Sequence, residues 1–157
     1  MLTITPISTN QNINYNKPMF KADIKNIEGS TVWNEALQSE NGPVYTDTLL
    51  KNLRNMKTSG ELKIESGYTN PCLINVRPCD KQKIYTIENT DTRAKVILYD
   101  NYTFISGKRV RRICDARHKF LTDNLAEGLY KGIMMNLKEL FGDTSLISGR
   151  QFIKPKL

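Results

Sequence analysis

The residues best suited to bind a ligand are basic and crowd into a short stretch, residues 107–119, which holds only one acidic residue. Its six basic members are Lys108, Arg109, Arg111, Arg112, Arg117 and Lys119. This density favours contact with phosphate groups, and arginine can bind a phosphate through two parallel hydrogen bonds. We predict an anion-binding surface here, with nucleic acid or an acidic protein surface as its partner. The alternative is that these basic side chains are simply exposed to solvent and bind no ligand, because short basic clusters are common in proteins.

The basic stretch leads into a row of apolar residues at intervals of four, from Leu121 to Phe141. This spacing predicts a long helix from about Asp115 to Phe141. The last two basic residues would then lie in its first turns, where unpaired backbone N–H groups already carry partial positive charge. A bound anion would relieve that repulsion. Tyr102 and Phe104 on the preceding strand would add stacking surface if they face the same way.

Three cysteines and the single histidine form a second set of chemically active residues: Cys72, Cys79, Cys114 and His118. Together they have the donor atoms of a Cys₃His zinc site, and the spacing of Cys114 and His118 corresponds to one helical turn. Structural zinc sites usually contain close cysteine pairs separated by two residues, whereas six residues separate Cys72 from Cys79. We therefore expect no metal or other cofactor, and we interpret the thiols as small buried side chains.

Cys114 and His118 are also the best candidates for catalysis, since a thiolate and an imidazolium can pair at this spacing. Asp115 is better explained as a helix N-cap than as a residue that orients the histidine. The sequence lacks a Gly-rich phosphate loop, a nucleophile elbow and a dinucleotide-binding motif. We therefore expect a non-enzymatic interaction domain without catalytic residues. Two alternatives stay open: a small structural or protein–protein interaction protein, and a metal-binding or Cys/His-dependent protein centred on Cys114 and His118.

The elements expected to position these residues are a short helix, a series of strands and the long helix. Apolar residues at helical spacing from Leu49 to Met56 predict the short helix. Alternating apolar and polar residues then predict four or five strands between residues 61 and 105, joined by short turns that favour antiparallel pairing. The predicted fold is α+β: an antiparallel four- to five-stranded meander sheet with one face covered by a long C-terminal helix and a short N-terminal helix.

Gly128 and Gly132 interrupt the predicted long helix, where each glycine costs about 1 kcal/mol relative to alanine. Two explanations fit this spacing. The helix breaks near residue 128, or it lies so close to the sheet that a side chain would not fit.

The chain has 157 residues, enough for one domain with tails. We predict a flexible Asn-rich tail over residues 1–30, a single domain over residues 31–143 and an irregular basic tail over residues 144–157. The alternating segment Met19–Ile24 is an exception within the first tail and favours a short strand at the sheet edge. No apolar run reaches the ~20 residues of a membrane span, and the N-terminus lacks secretory-signal features. We therefore expect a cytoplasmic protein that does not contact membranes.

Overall fold

The structure is a computed structural model that describes residues 22–69, 82–142 and 152–157. Within these residues the chain forms a six-stranded sheet whose strands follow one another in chain order from edge to edge. The strands are β1 (Ala22–Ile24), β2 (Gly60–Thr69), β3 (Gln82–Asn89), β4 (Lys95–Ile105), β5 (Lys108–Cys114) and β6 (Phe120–Thr122). The pairs from β2 to β6 are antiparallel, whereas β1 lies parallel to β2.

The α+β class is confirmed, but the predicted four- to five-stranded antiparallel sheet is wrong in two respects. The basic stretch continues the alternation of the preceding strands, so it forms β5 and leads into β6 instead of starting a helix. The segment Ala22–Ile24 adds β1 at the opposite edge, as its alternation predicted. Because helices separate β1 from β2, the chain returns to the same end of the sheet and the two strands pair in parallel.

The described ranges contain one 3₁₀ turn, Ile27–Gly29, and four α-helices. The helices are α1 (Thr31–Leu37), α2 (Gly42–Arg54), α3 (Leu125–Met134) and α4 (Leu137–Phe141). The long helix predicted from Asp115 is therefore wrong, since its first part is a turn and β6. Its remainder divides at Met135–Asn136, where the Asn136 side chain donates a hydrogen bond to the Gly132 carbonyl oxygen at 2.7 Å.

Two local hydrogen-bond patterns explain where α3 begins. The Asp115 side chain accepts the backbone N–H groups of Arg117 and Lys119, each at 2.9 Å. This closes a turn of the kind that aspartate favours, so Asp115 does not cap a helix. Asn124 is the N-cap instead, because its side chain accepts the backbone N–H of Glu127 at 3.0 Å.

The core lies between one face of the sheet and the helices. Sheet residues on this face include Leu62, Tyr85, Ile87, Leu98 and Ile113, all fully buried. The helices pack Leu49, Leu53, Leu125, Leu129 and Ile133 against them, and Trp33 of α1 is also buried.

The two glycines of α3 show how closely this helix approaches the sheet. A Cβ atom at Gly132 would lie 2.9 Å from the Leu98 side chain, and one at Gly128 would lie 3.0 Å from Ile113. Real Cβ atoms essentially never come as near as the first distance, and the second is tighter than nine in ten real Cβ contacts. Of the two explanations for these glycines, close packing on the sheet is therefore confirmed.

The predicted tails are described only in part. Residues 1–21 and 143–151 lie outside the described residues, so the flexible tail stays a prediction there. Residues 22–30 contain β1 and the 3₁₀ turn, while residues 152–157 lack regular secondary structure and Phe152 packs against the core. None of the helices in the described part of the chain has the length and apolar character needed to cross a lipid bilayer.

Candidate nucleic-acid interface

The basic residues predicted as a site do not surround a helix start. Lys108, Arg109, Arg111 and Arg112 lie in β5, and Arg117 and Lys119 lie in the turn that follows. Because α3 begins only at Leu125, the predicted repulsion between these cations and a helix N-terminus does not arise. A phosphate held by that N-terminus therefore no longer explains the cluster.

The register of β4 and β5 divides the basic residues between two faces of the sheet. Ile113 pairs with Asp100, and both are buried on the face that carries the helices. Because side chains alternate along a strand, Arg109 and Arg111 point to this same face. Arg112 points to the other face, where its guanidinium carbon lies 4.7 Å from the centre of the Phe120 ring.

Arg111 is bound within the protein. Its guanidinium donates hydrogen bonds to both carboxylate oxygens of Asp100, at 3.0 and 2.7 Å. One of its terminal nitrogens also lies 3.0 Å from the Tyr85 hydroxyl oxygen and 3.4 Å from a Glu35 carboxylate oxygen. Tyr85 in turn donates to Asp100 at 2.8 Å. The Asp100 side chain is only 2% exposed, so Arg111 supplies the positive charge that this buried carboxylate needs.

Two members of this network, Tyr85 and Arg111, have shifted pKa values. Burial and the hydrogen bond to Asp100 raise the pKa of Tyr85 well above its usual range, so the hydroxyl stays neutral. The hydrogen bond to Asp100 also raises the pKa of Arg111, which therefore remains charged. The network is a structural clamp that joins β3, β4, β5 and α1.

Beyond this clamp the same face of the sheet carries exposed rings. Tyr102 pairs with Arg111 and Phe104 pairs with Arg109, so both rings share the face of the two arginines. Tyr102 is 48% exposed and Phe104 is 74% exposed. The guanidinium carbon of Arg109 lies 3.7 Å from the centre of the Tyr102 ring. Tyr102 and Phe104 thus face the same way as Arg109, which was the condition for a stacking surface. We call Tyr102, Phe104 and Arg109 the hairpin platform.

Two further residues extend the platform across the sheet. Tyr68 of β2, 66% exposed, pairs with Lys83 of β3, which pairs with Asp100 of β4. Tyr68 and Lys83 therefore lie on the platform's face, and strand geometry places Tyr68 on the order of 12 Å from Tyr102. Neither residue was predicted from the sequence. The signal for Tyr68 was the alternation of β2, in which it continues the face of buried Leu62, and the signal for Lys83 was the alternation of β3, in which it precedes buried Tyr85 and Ile87.

The cations at the tip and rim of the hairpin are open to solvent. Lys108 and Arg109 are exposed, and no ion pair within the described residues involves either of them. Arg117 and Lys119 are exposed as well, but they lie in the turn between β5 and β6. Lys108 and Arg109, two cations without an ion pair among the described residues, therefore lie on the same hairpin as the exposed rings.

Within the described residues, the cysteine and histidine candidates do not form a metal site. Cys114 is 3% exposed, and burial raises the pKa of its thiol. His118 is exposed, and its ring stacks on Tyr99 with ring centres 4.3 Å apart. Cys72 and Cys79 lie outside the described residues. Among the residues that are described, no three His, Cys, Asp or Glu side chains are grouped so that they could hold a metal ion.

A cavity of about 440 Å³ lies beside the turn that carries His118. Residues of β4, of the turn and of both C-terminal helices line it, including Lys95, Arg117 and Lys131. Neither Cys114 nor His118 belongs to its lining. The cavity therefore does not bring a substrate to the pair that sequence spacing suggested for catalysis.

Comparison with known proteins gives no family: no protein-family model matches the chain, and no curated protein or solved structure is significantly similar to it. The structure defines the protein only as an α+β domain with a mixed sheet. Its function has to be inferred from the chemistry of its surface.

Proposed function

We propose that the protein is a non-enzymatic binding domain that contacts nucleic acid through the hairpin platform. The observation that carries this proposal is the stacking of Arg109 on Tyr102 beside the exposed ring of Phe104. Exposed aromatic rings stack with bases, while neighbouring cations bind the phosphates. Exposed apolar groups gathered in one place also mark interaction sites on a protein surface.

The platform favours a single strand over a duplex. The bases of a duplex already stack on one another, so flat rings on a sheet can reach only bases that are unpaired. Tyr102 and Phe104 are two residues apart on one strand, which places them about 7 Å from each other and lets both contact one extended strand. Arg109 and Lys83 lie on the face of the rings and would bind phosphates there. Lys108 alternates to the other face at the hairpin tip and would bind a phosphate of a strand that passes beyond the end of the hairpin.

Another polyanion, such as an acidic protein surface, would use the same cations without the rings. A protein–protein interaction role is the second candidate, favoured by Ile105, which is 56% exposed on the face of the hairpin opposite Phe104. Aliphatic side chains do not stack with bases, so Ile105 fits a protein partner better. A Cys/His-dependent activity is the least supported, because the buried Cys114 thiol has a raised pKa and is a poor nucleophile.

The test is a titration of the full chain with fluorescent oligonucleotides at several salt concentrations. We expect binding to a pyrimidine single strand that is tighter than binding to a duplex of the same length. Three phosphate contacts would give a slope of about −2 for log K against log salt. Equal affinity for an acidic polypeptide of matched charge would favour the general polyanion role, and no binding to any oligonucleotide at low salt would reject the proposal.

A further inference from the structure

A second binding feature lies between helices α2 and α3. Asn52 is 1% exposed, yet its side chain holds the main chain of Ile153, 101 residues away. The amide nitrogen donates to the Ile153 carbonyl oxygen at 2.9 Å, and the amide oxygen accepts the Ile153 N–H at 2.9 Å. The Tyr130 hydroxyl of α3 lies 3.4 Å from the same carbonyl oxygen. Asn52 thus pairs with one residue as a neighbouring antiparallel strand would.

This site depends on its occupant. Within the described residues the Asn52 side chain makes no hydrogen bonds other than the two to Ile153. If residues 152–157 moved away, a buried amide would lose both its donor and its acceptor partner, which is unfavourable. The groove between α2 and α3 therefore needs a peptide main chain that offers an N–H and a C=O from one residue. We call it the Asn52 groove, and residues 152–157 the C-terminal segment.

The C-terminal segment is held with few side-chain contacts. Phe152 packs against the core, whereas Ile153 is 46% exposed, Leu157 is 74% exposed and both lysines are exposed. The segment occupies the groove mainly through the Ile153 main chain and one ring. Covalent attachment favours this binding, since tethering supplies an effective concentration in the millimolar range.

We propose that the Asn52 groove is a peptide-docking site with an exchangeable occupant, and that it accepts the C-terminal segment of a second copy of this chain. The second copy offers the same atoms, so the exchanged contacts are identical and no new interface has to form. Two copies that exchange segments reciprocally fill both grooves. At low protein concentration the chain's own segment prevails because it is tethered. The exchange does not depend on nucleic-acid binding.

The proposal is tested with two full-length variants that are complementary. Ile153→Pro lacks the N–H that donates to Asn52, so its own segment is not held and its groove is left open. Asn52→Leu lacks the amide but keeps a similar size, so its groove is disabled while its segment is intact. Each variant alone is expected to be monomeric by light scattering, and an equimolar mixture is expected to form a one-to-one dimer. Ile153→Ala, which keeps the N–H, is the matched control and should not pair with Asn52→Leu.

A mixture that stays monomeric while both variants are folded would overturn the proposal. Folding is monitored through the fluorescence of Trp33, which is 3% exposed. If Asn52→Leu does not fold, a labelled peptide of residues 150–157 is titrated against Ile153→Pro and the unchanged protein. We expect at least tenfold tighter binding to Ile153→Pro, because the groove of the unchanged protein is already filled. Equal affinities, or tight binding of a peptide N-methylated at Ile153, would contradict it.

Discussion

Arg111 of β5 binds both carboxylate oxygens of Asp100 of β4, at 2.7 and 3.0 Å. Among the described residues, no other cationic side chain forms an ion pair with this buried carboxylate. Arg111 is therefore a component of the fold. Its neighbour on the same face, Arg109, lies over Tyr102 with no carboxylate partner among the described residues. Two arginines separated by one residue thus have different roles.

Replacing Arg111 by alanine is expected to destabilise the protein by about 3 kcal/mol, because it leaves the buried Asp100 carboxylate unpaired. The value lies at the low end of the usual range since Arg111 itself is 21% exposed. Chemical denaturation followed by Trp33 fluorescence measures the change. Arg109→Ala is the control, with an expected change within about 0.5 kcal/mol. Equal losses for both variants would show that the clamp is not structural.

Replacing Phe104 by alanine is expected to weaken binding to a single-stranded oligonucleotide about tenfold, because one stacking ring is lost. Phe120→Ala is the matched control, since Phe120 is an exposed ring that stacks with an arginine on the opposite face. Fluorescence anisotropy at constant salt gives both affinities. A greater loss for Phe120→Ala would move the interface to the other face of the sheet.

Replacing Arg109 by alanine is expected to reduce affinity and to make the slope of log K against log salt less steep by about 0.7, since one phosphate contact on a single strand is lost. Arg117→Ala removes the same charge from the turn beyond β5 and serves as the control. If both variants changed the slope equally, net charge and not the platform would account for binding.

Replacing Gly132 by alanine is expected to destabilise the protein by about 1 kcal/mol, the middle of the overpacking range less the gain in helix propensity. The added methyl group would lie 2.9 Å from Leu98, and such overpacking costs about 1–3 kcal/mol, which better helix propensity offsets by about 1 kcal/mol. Thermal and chemical unfolding measure the difference. Gly67→Ala is the control because a methyl group there meets nothing within 4 Å. An unchanged or raised stability of Gly132→Ala would contradict the close packing of α3 on the sheet.

Glu127 is expected to make stability fall in acid. Burial alone would raise the pKa of its carboxyl group, but hydrogen bonds from Lys131 and Thr122 outweigh burial and the pKa is lowered. A carboxyl group of this kind contributes stability that is fully present above its unfolded pKa of about 4.3. That contribution is lost as the pH falls through the lower, folded pKa.

The free energies of unfolding of the unchanged protein and of Glu127→Gln, measured from pH 7 to pH 3, test this expectation. The unchanged protein should be the more stable at neutral pH, and its advantage should shrink below about pH 4. Asp123→Asn, which removes an exposed carboxylate nearby, is the control for the loss of one negative charge. A constant gap between Glu127→Gln and the unchanged protein across this range would contradict the lowered pKa.

The sequence alone determined the α+β class, the buried faces of the central strands and a short helix at the position of α2. These follow from local rules, because the direction of a side chain alternates along a strand and repeats along a helix. The same rules placed Tyr102 and Phe104 on one strand with a spacing of two. The same rules also led to the wrong prediction of one long C-terminal helix. The row of apolar residues at intervals of four was interpreted as a single helix, although Leu121, the first residue of the row, lies in β6.

The tertiary structure alone decided which arginines are available. Asp100 and Glu35 are 11 and 76 residues from Arg111 along the chain, and the spacing of residues in sequence does not indicate such contacts. The same holds for Asn52 and Ile153, 101 residues apart. Periodicity fixes which face a side chain occupies, but the path of the chain fixes what that face meets. That path placed one arginine against a buried carboxylate and left the next beside an exposed ring.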